Sequence, residues 1–281
     1  MSSKRKMLTL GNMLTIFFVV FMLLLFIFPI FWTFLMSFKG REDIFTLTPP
    51  FFPSVWHWDE YRNVLNMGGA ARFFINSTLV ALGTTAVSVL LSTTCGYGLQ
   101  RLSGKSSQRI SNMVLMLRMV PTMVCQVPFY LLFRQLGLIN SLPALTFVYA
   151  ALSLPLAIWL SLGFYRNIPE SLYEAAMVDG CTEWQLFARI AFPLAKGSVV
   201  VVVLNVFFFA WNEFSLAMVL INKEQYRTMA VGIRYFVTNT LETPYARMAA
   251  AGIVCIVPTV IITVFMQNYL IQGFVQGAVK G

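Results

Sequence analysis

Long apolar runs and short polar segments alternate along this chain of 281 residues. The runs cover about 7–38, 73–100, 110–133, 142–165, 197–221 and 248–272. About 20 helical residues cross the roughly 30 Å hydrocarbon core of a bilayer, so each run can span. A transmembrane barrel would show short alternating segments instead. The pattern predicts an all-α polytopic membrane protein with about six transmembrane helices. The first run is longer than the apolar core of a signal peptide and carries Pro29 and Trp32 at its far end, so it reads as the first helix.

The polar segments set the topology. Lys4, Arg5 and Lys6 precede the first run, and Arg101, Lys105 and Arg109 follow the second. These two basic groups predict both termini inside; Lys223, Arg227, Arg234 and Arg247 lie in outer segments, where long loops count for little in the positive-inside rule. Residues 39–72 hold Pro49, Pro50, Pro53, Trp56, Trp58 and Tyr61, a composition expected of a loop on the outer face. Small residues recur in the second helix (Gly83, Ser88, Ser92, Gly96, Gly98), and in lipid such residues let helices approach closely. Gly137, Asn140 and Pro143 predict a short outer turn before the fourth helix. The organisation is read as 1–72, a first helix and outer loop, and 73–281, a core domain with a polar insert at 166–196.

Composition narrows the class. Hydrophobic residues make up 58% and charged residues 11%, against about a quarter charged in soluble chains. The formal charge of +9 sits in flanks and loops, so it serves membrane orientation and no nucleic-acid partner is expected. Cys95, Cys125, Cys181 and Cys255 lack metal or redox spacing and read as structural. His57 stands alone in a loop, which disfavours a metal or triad role. Gly104-Lys105-Ser106 resembles part of a phosphate loop, but that pattern needs a glycine where Leu99 stands and a strand before it. An integral membrane enzyme would need clustered His, Asp or Cys beside the spans. No metal or cofactor bound by this chain is expected, nor catalysis.

The insert carries helix punctuation. Pro169 and Glu170 suit a helix start. Residues 171–179 can run as about two turns, and Gly180 suits the cap that follows. Thr182 and Gln185 match a capping box. The second helix should end near Ala191, because Pro193 disfavours helix at Phe192. Leu172, Ala175, Ala176 and Val178 offer the first helix a small, apolar contact surface; Leu186, Phe187 and Ile190 do so for the second. An amphipathic loop resting on the membrane fits the same spacing.

Glu174-Ala175-Ala176, Asp179-Gly180, then Ile190 and Pro193, closely resemble the cytoplasmic EAA motif of ABC importer permeases. The glycine falls four residues after the last alanine. Two further stretches resemble the carbohydrate-importing, maltose-permease-like branch: Trp211-Asn212-Glu213-Phe214, and the tail Gln272-Gly273-Phe274-Val275-Gln276-Gly277-Ala278-Val279-Lys280-Gly281. The resemblance covers roughly 76 to the C-terminus. Phe192 departs from it, since the family often has leucine before the proline.

The resemblance implies a type I ABC importer permease in a bacterial cell membrane, for a sugar or for another solute such as glycerol phosphate, a polyamine or an amino acid. It implies a second homologous permease in a heterodimer, two ATP-binding subunits holding ATP and Mg, and an extracytoplasmic solute-binding protein. Glu174, Ala175, Ala176, Asp179, Gly180, Ile190 and Pro193 would then form the element that docks on an ATP-binding subunit, with Gln276 and Lys280 touching it from the tail. Ionisable residues inside spans mark pathways by default. Arg118 and Glu213 are therefore candidates for the translocation path, with Asn205, Trp211 and Asn212, since aromatic faces and amides suit sugars. An interhelical pair, or a snorkelling Arg118, accounts for the charged residues as well.

Overall fold

The computed structural model describes residues 10–66, 69–102, 104–236 and 245–278. Among them the regular structure is helical throughout. The chain divides into two compact units, one of Met1–Met67 and Phe236–Val254, the other of Gly68–Tyr235 and Cys255–Gly281.

The first unit begins with α1 (Leu10–Met36), apolar on every side. None of its spanning window is buried inside the protein, as suits a helix surrounded by lipid. The chain after α1 closes on an aromatic knot. Phe38 is 1% exposed. Its ring lies edge-on to Phe34 and Trp58, with centroids 5.0 and 4.7 Å away, and tilted against Trp56 and Tyr61 at 5.1 and 5.2 Å. Residues 39–72 are not loop throughout: they hold α2 (Arg41–Ile44) and α3 (Asp59–Asn66). Asp59 and Glu60 stand in the first turn of α3, where the helix dipole favours acids. Two hydrogen bonds from Ser54, at 2.8 and 2.7 Å, pin Asp43 and hold its carboxyl below the usual range.

The second unit is built on α4 (Ala70–Gln100), α7 (Leu142–Tyr165) and α10 (Phe192–Asn212). The seam between α4 and α7 is made of small residues. Ser88 and Ser153 share a hydrogen bond of 2.9 Å. A Cβ added at Gly96 would lie 2.7 Å from the Ser161 Cβ and 2.9 Å from the Leu162 amide nitrogen. A bulkier residue there would force the helices apart. Gly98 has open space around it and lies off the seam. The core beside it gathers Val80, Leu145, Tyr149, Phe207, Trp211 and Leu216.

The third apolar run is not one helix. α5 (Gly104–Met116), a tight turn at Leu117–Met119, and α6 (Thr122–Gln135) meet at an angle of 84°. Pro121 explains the break. Proline restricts the residue before it, and Val120 is extended at φ −70°, ψ 117°. The turn after α6 is as expected: Gly137 and Asn140 adopt positive φ of 68° and 64°, and the Ser141 hydroxyl caps α7 by accepting from the Ala144 amide. The Asn140 carboxamide oxygen also accepts from the Asn222 and Lys223 amides, at 2.6 and 2.7 Å.

The fifth run also stops short. α10 ends at Asn212, Glu213 is extended, and α11 (Ser215–Leu220) follows. After it, Asn76 of α4 donates to the carbonyls of Gln225 and Arg227, and the Ser77 hydroxyl accepts from the Met229 amide at 2.7 Å. That amide belongs to α12 (Met229–Gly232). The final helix, α13 (Tyr245–Ala278), has residues in both units. Among the described residues four helices are long and apolar enough to cross a membrane, or six if each bent pair is one span.

Candidate functional site

The insert folds through local signals. α8 (Glu170–Val178) starts after Pro169, which is its N-cap. Asp179 is the C-cap, and Gly180 takes φ +81°. The Cys181 amide donates to the Ala176 carbonyl and the Gly180 amide to the Met177 carbonyl, both at 3.0 Å. Those two bonds form a Schellman motif, which needs a left-handed residue at Gly180. The next helix, α9 (Glu183–Leu186), opens with a complete capping box. The Gln185 amide donates to the Thr182 hydroxyl at 3.3 Å, and the Thr182 amide to the Gln185 side-chain oxygen at 2.9 Å.

The predicted end near Ala191 does not occur. Phe187–Ala191 form a π turn, in which the Phe192 amide donates to the Phe187 carbonyl, and the chain runs on into α10. Pro193 is the second residue of α10 and has no amide hydrogen to give. A wider turn accommodates a ring that would otherwise press on the carbonyl four residues back. Further on, the segments Glu183–Gly197 and Val199–Asn212 are bent by 69°.

The insert is anchored to three helix ends. Tyr97, Tyr165, Tyr173, Ala176, Leu186 and Phe187 bury together. The Tyr97 ring lies 5.9, 6.3 and 5.3 Å from those of Tyr165, Tyr173 and Phe187. The Tyr97 hydroxyl donates to one Glu183 oxygen at 2.8 Å, and the Arg101 guanidinium to the other at 2.9 Å. That guanidinium also lies 5.5 Å over the Tyr173 ring. The Glu183 carboxylate raises the Arg101 pKa above its usual value, and burial raises that of Tyr173. On the other side, Arg166 donates to Gln108 and Ser107, both at 3.0 Å.

The motif residues divide between two faces. Glu174, Ala175, Asp179 and Gly180 are exposed, and so is Pro193. Ala176 is buried against Tyr97 and Tyr173 within this chain, and Ile190 is half-buried on the same cluster. The outward face is also apolar: Val178 is 87% exposed and Trp184 68%. Tyr97, Tyr173 and Glu183 were not singled out by sequence reasoning. The available signal was Tyr173, one helical turn before Ala176 on the same face.

The five residues expected at a translocation path all lie on or beside α10. The Glu213 carboxylate accepts from the Leu216 and Ala217 amides and so caps α11. The Tyr149 hydroxyl donates to it at 2.6 Å. Phe209 stands edge-on to Tyr149 at 5.9 Å, and the Arg118 guanidinium lies 5.2 Å over Phe209. Arg118 also donates to the Leu152 carbonyl at 3.0 Å, beside the Ala151 carbonyl that Pro155 cannot pair. Asn205 and Asn212 are exposed, seven residues apart on one face of α10. Trp211 is different. It is 4% exposed, stacks on Phe207 at 5.8 Å and donates its indole N–H to the Cys255 carbonyl. It fills the core, because its position faces α4 and α13, and offers no free ring to a sugar. Lys280 lies outside the described residues, and of Gln276 only the helical backbone is described.

Residues 88–276 match the family described as binding-protein-dependent transport system inner membrane component. The trehalose transport system permease protein SugB of Mycobacterium tuberculosis is 31% identical, over 90% of this chain and 92% of its own length. The trehalose/maltose transport system permease protein MalG of Thermococcus litoralis is 30% identical, over 97% of this chain and 98% of its own. A solved chain from a bacterial ABC transporter involved in the import of the acidic polysaccharide alginate shares the fold, with TM-score 0.78 and 20% identity over 96% of this chain and 99% of that one. The chain therefore belongs to the family of inner-membrane components of binding-protein-dependent transport systems, and it is an ABC importer permease.

Proposed function

We propose that this permease translocates a sugar or oligosaccharide as one of two membrane subunits. A second, homologous permease completes the pore as a heterodimer. Two ATP-binding subunits dock on the inner side and keep ATP and magnesium to themselves, and an extracytoplasmic binding protein delivers the solute to the outer side. Both termini are inside. The sugar assignment draws its support from the trehalose and maltose relatives.

The observation that carries this reading is the shape of the insert. A Schellman turn and a capping box fix two short helices. Ring contacts and the Glu183 clamp tie them to the ends of α4 and α7, while Val178 and Trp184 face outward. A rigid element with an apolar outer face transmits motion from whatever seats on it. Glu174, Ala175 and Asp179 belong to that docking surface; Gly180 sets the turn beside it, and Ala176, Ile190 and Pro193 hold its shape. Arg118, Asn205, Asn212 and Glu213 border the translocation path, where Arg118 and Glu213 also fix the ends of two broken spans.

Val178→Asp combined with Trp184→Asp tests the docking. With the cognate subunits co-expressed, the variant should insert normally but lose the ATP-binding subunit by about tenfold on purification, as expected when central apolar anchors are charged. Undiminished co-purification would overturn the assignment.

A further inference from the structure

Beside the insert lies a cavity of about 550 Å³ between the end of α7, the start of α10 and α5. Its walls include the apolar Trp159, Leu160, Leu172 and Leu194 and the polar Arg166 and Asn167. Trp159, Leu172 and Leu194 are 43%, 44% and 57% exposed. The cavity lies at the end of the apolar helix Leu142–Tyr165, where the chain passes into the polar insert; such a change in composition is expected where a span meets the membrane surface. No carboxylate is among its lining residues. The hydrogen bonds of Arg166 go to Ser107 and Gln108, both neutral.

We infer that this cavity binds an anionic phospholipid, with the phosphate on Arg166 and an acyl chain along Trp159, Leu160 and Leu194. The apolar wall and the cation stand at the two depths where a lipid carries its tail and its phosphate. A sugar or a free anion would leave the apolar wall in contact with water, and a zwitterionic lipid would bring no net charge to Arg166. Basic pockets between spans at the membrane surface hold anionic head groups by this combination. Lys105 and Arg109 on α5 add the same sign of charge.

The test uses the purified full-length permease in phosphatidylcholine nanodiscs, alone or with an equal part of phosphatidylglycerol, the lipids brominated on their acyl chains. Trp159→Phe isolates the Trp159 fluorescence from that of the other tryptophans. Brominated phosphatidylglycerol should quench this component more than brominated phosphatidylcholine. Arg166→Gln should reduce the preference about fivefold, the factor for one basic side chain at an anionic surface. Arg166→Lys should keep it. So should Ser107→Ala with Gln108→Leu, which removes the neutral contacts and leaves the charge. Inorganic phosphate should not compete. Equal quenching by the two lipids, a preference that survives Arg166→Gln, or displacement by phosphate would each overturn the inference. Loss of the quenching when the partner subunits are assembled would also overturn it and assign the cavity to a protein contact.

Discussion

Replacing Gly180 by valine should uncouple this permease without unfolding it, and replacement by asparagine should not. Gly180 holds φ +81°, and a Cβ added there meets nothing within 4 Å. The cost of a side chain is therefore one of backbone conformation and not of collision. A left-handed residue costs roughly 1–2 kcal/mol for an ordinary L-amino acid, more for a β-branched one and less for asparagine. That cost acts on one turn, so it shifts the closed turn against its opened form by a factor of about 5–30. The order expected is Gly180→Asn near wild type, Gly180→Ala intermediate and Gly180→Val lowest. The assay is solute uptake and transport-coupled ATP hydrolysis in the reconstituted complex, beside immunodetection of inserted permease. Normal coupling in Gly180→Val would refute the reasoning. Equal damage by asparagine and valine would refute it too, by showing that a partner fills the space around Gly180.

Gly96→Val should lower the thermal unfolding temperature in detergent, losing about 1–3 kcal/mol to overpacking against Ser161 and Leu162, while Gly98→Ala, facing open space, should leave it unchanged. Tyr149→Phe should cost about 1–2 kcal/mol of stability through the lost hydrogen bond to Glu213, measured in the same melts; Glu213→Leu should cost more, because the Leu216 and Ala217 amides lose their acceptor. Cysteine at Ala175 or Val178 should react with a membrane-impermeant maleimide applied from the inner side, and cysteine at the buried Ala176 should react at least tenfold more slowly.

The parts of the fold legible in the sequence were those fixed by neighbours in the chain. Thr182 and Gln185 announce a capping box because both partners lie within one turn. Gly180 and Asn140 announce left-handed turns for the same reason. The apolar runs announce spans by length alone. Pro121 stands inside the third apolar run, and the apolar residues on both sides of it hid the 84° bend it makes. Glu213 looked like a charge inside a helix. It ends one helix and caps the next through the Leu216 and Ala217 amides, and its carboxylate also holds Tyr149, a partner 64 residues away that no local pattern reveals. Trp211 looked like a sugar platform, and only its contacts with Phe207 and the Cys255 carbonyl reveal a core residue. Which face of the motif is exposed and which is anchored depends on Tyr97, nearly eighty residues upstream of Ala176.

The Glu183 clamp has a consequence for the order in which the protein assembles during synthesis. The partners of Glu183, Tyr97 and Arg101, precede it in the chain by 86 and 82 residues. They have already left the ribosome when the insert emerges, so this end of the bundle can close at once. Asn76 and Ser77 are bound to carbonyls and an amide 149–152 residues later. Their end stays open until nearly the whole of the second unit has been made. A chain interrupted shortly after α10 would thus carry a finished insert on a bundle still unfastened at the opposite end.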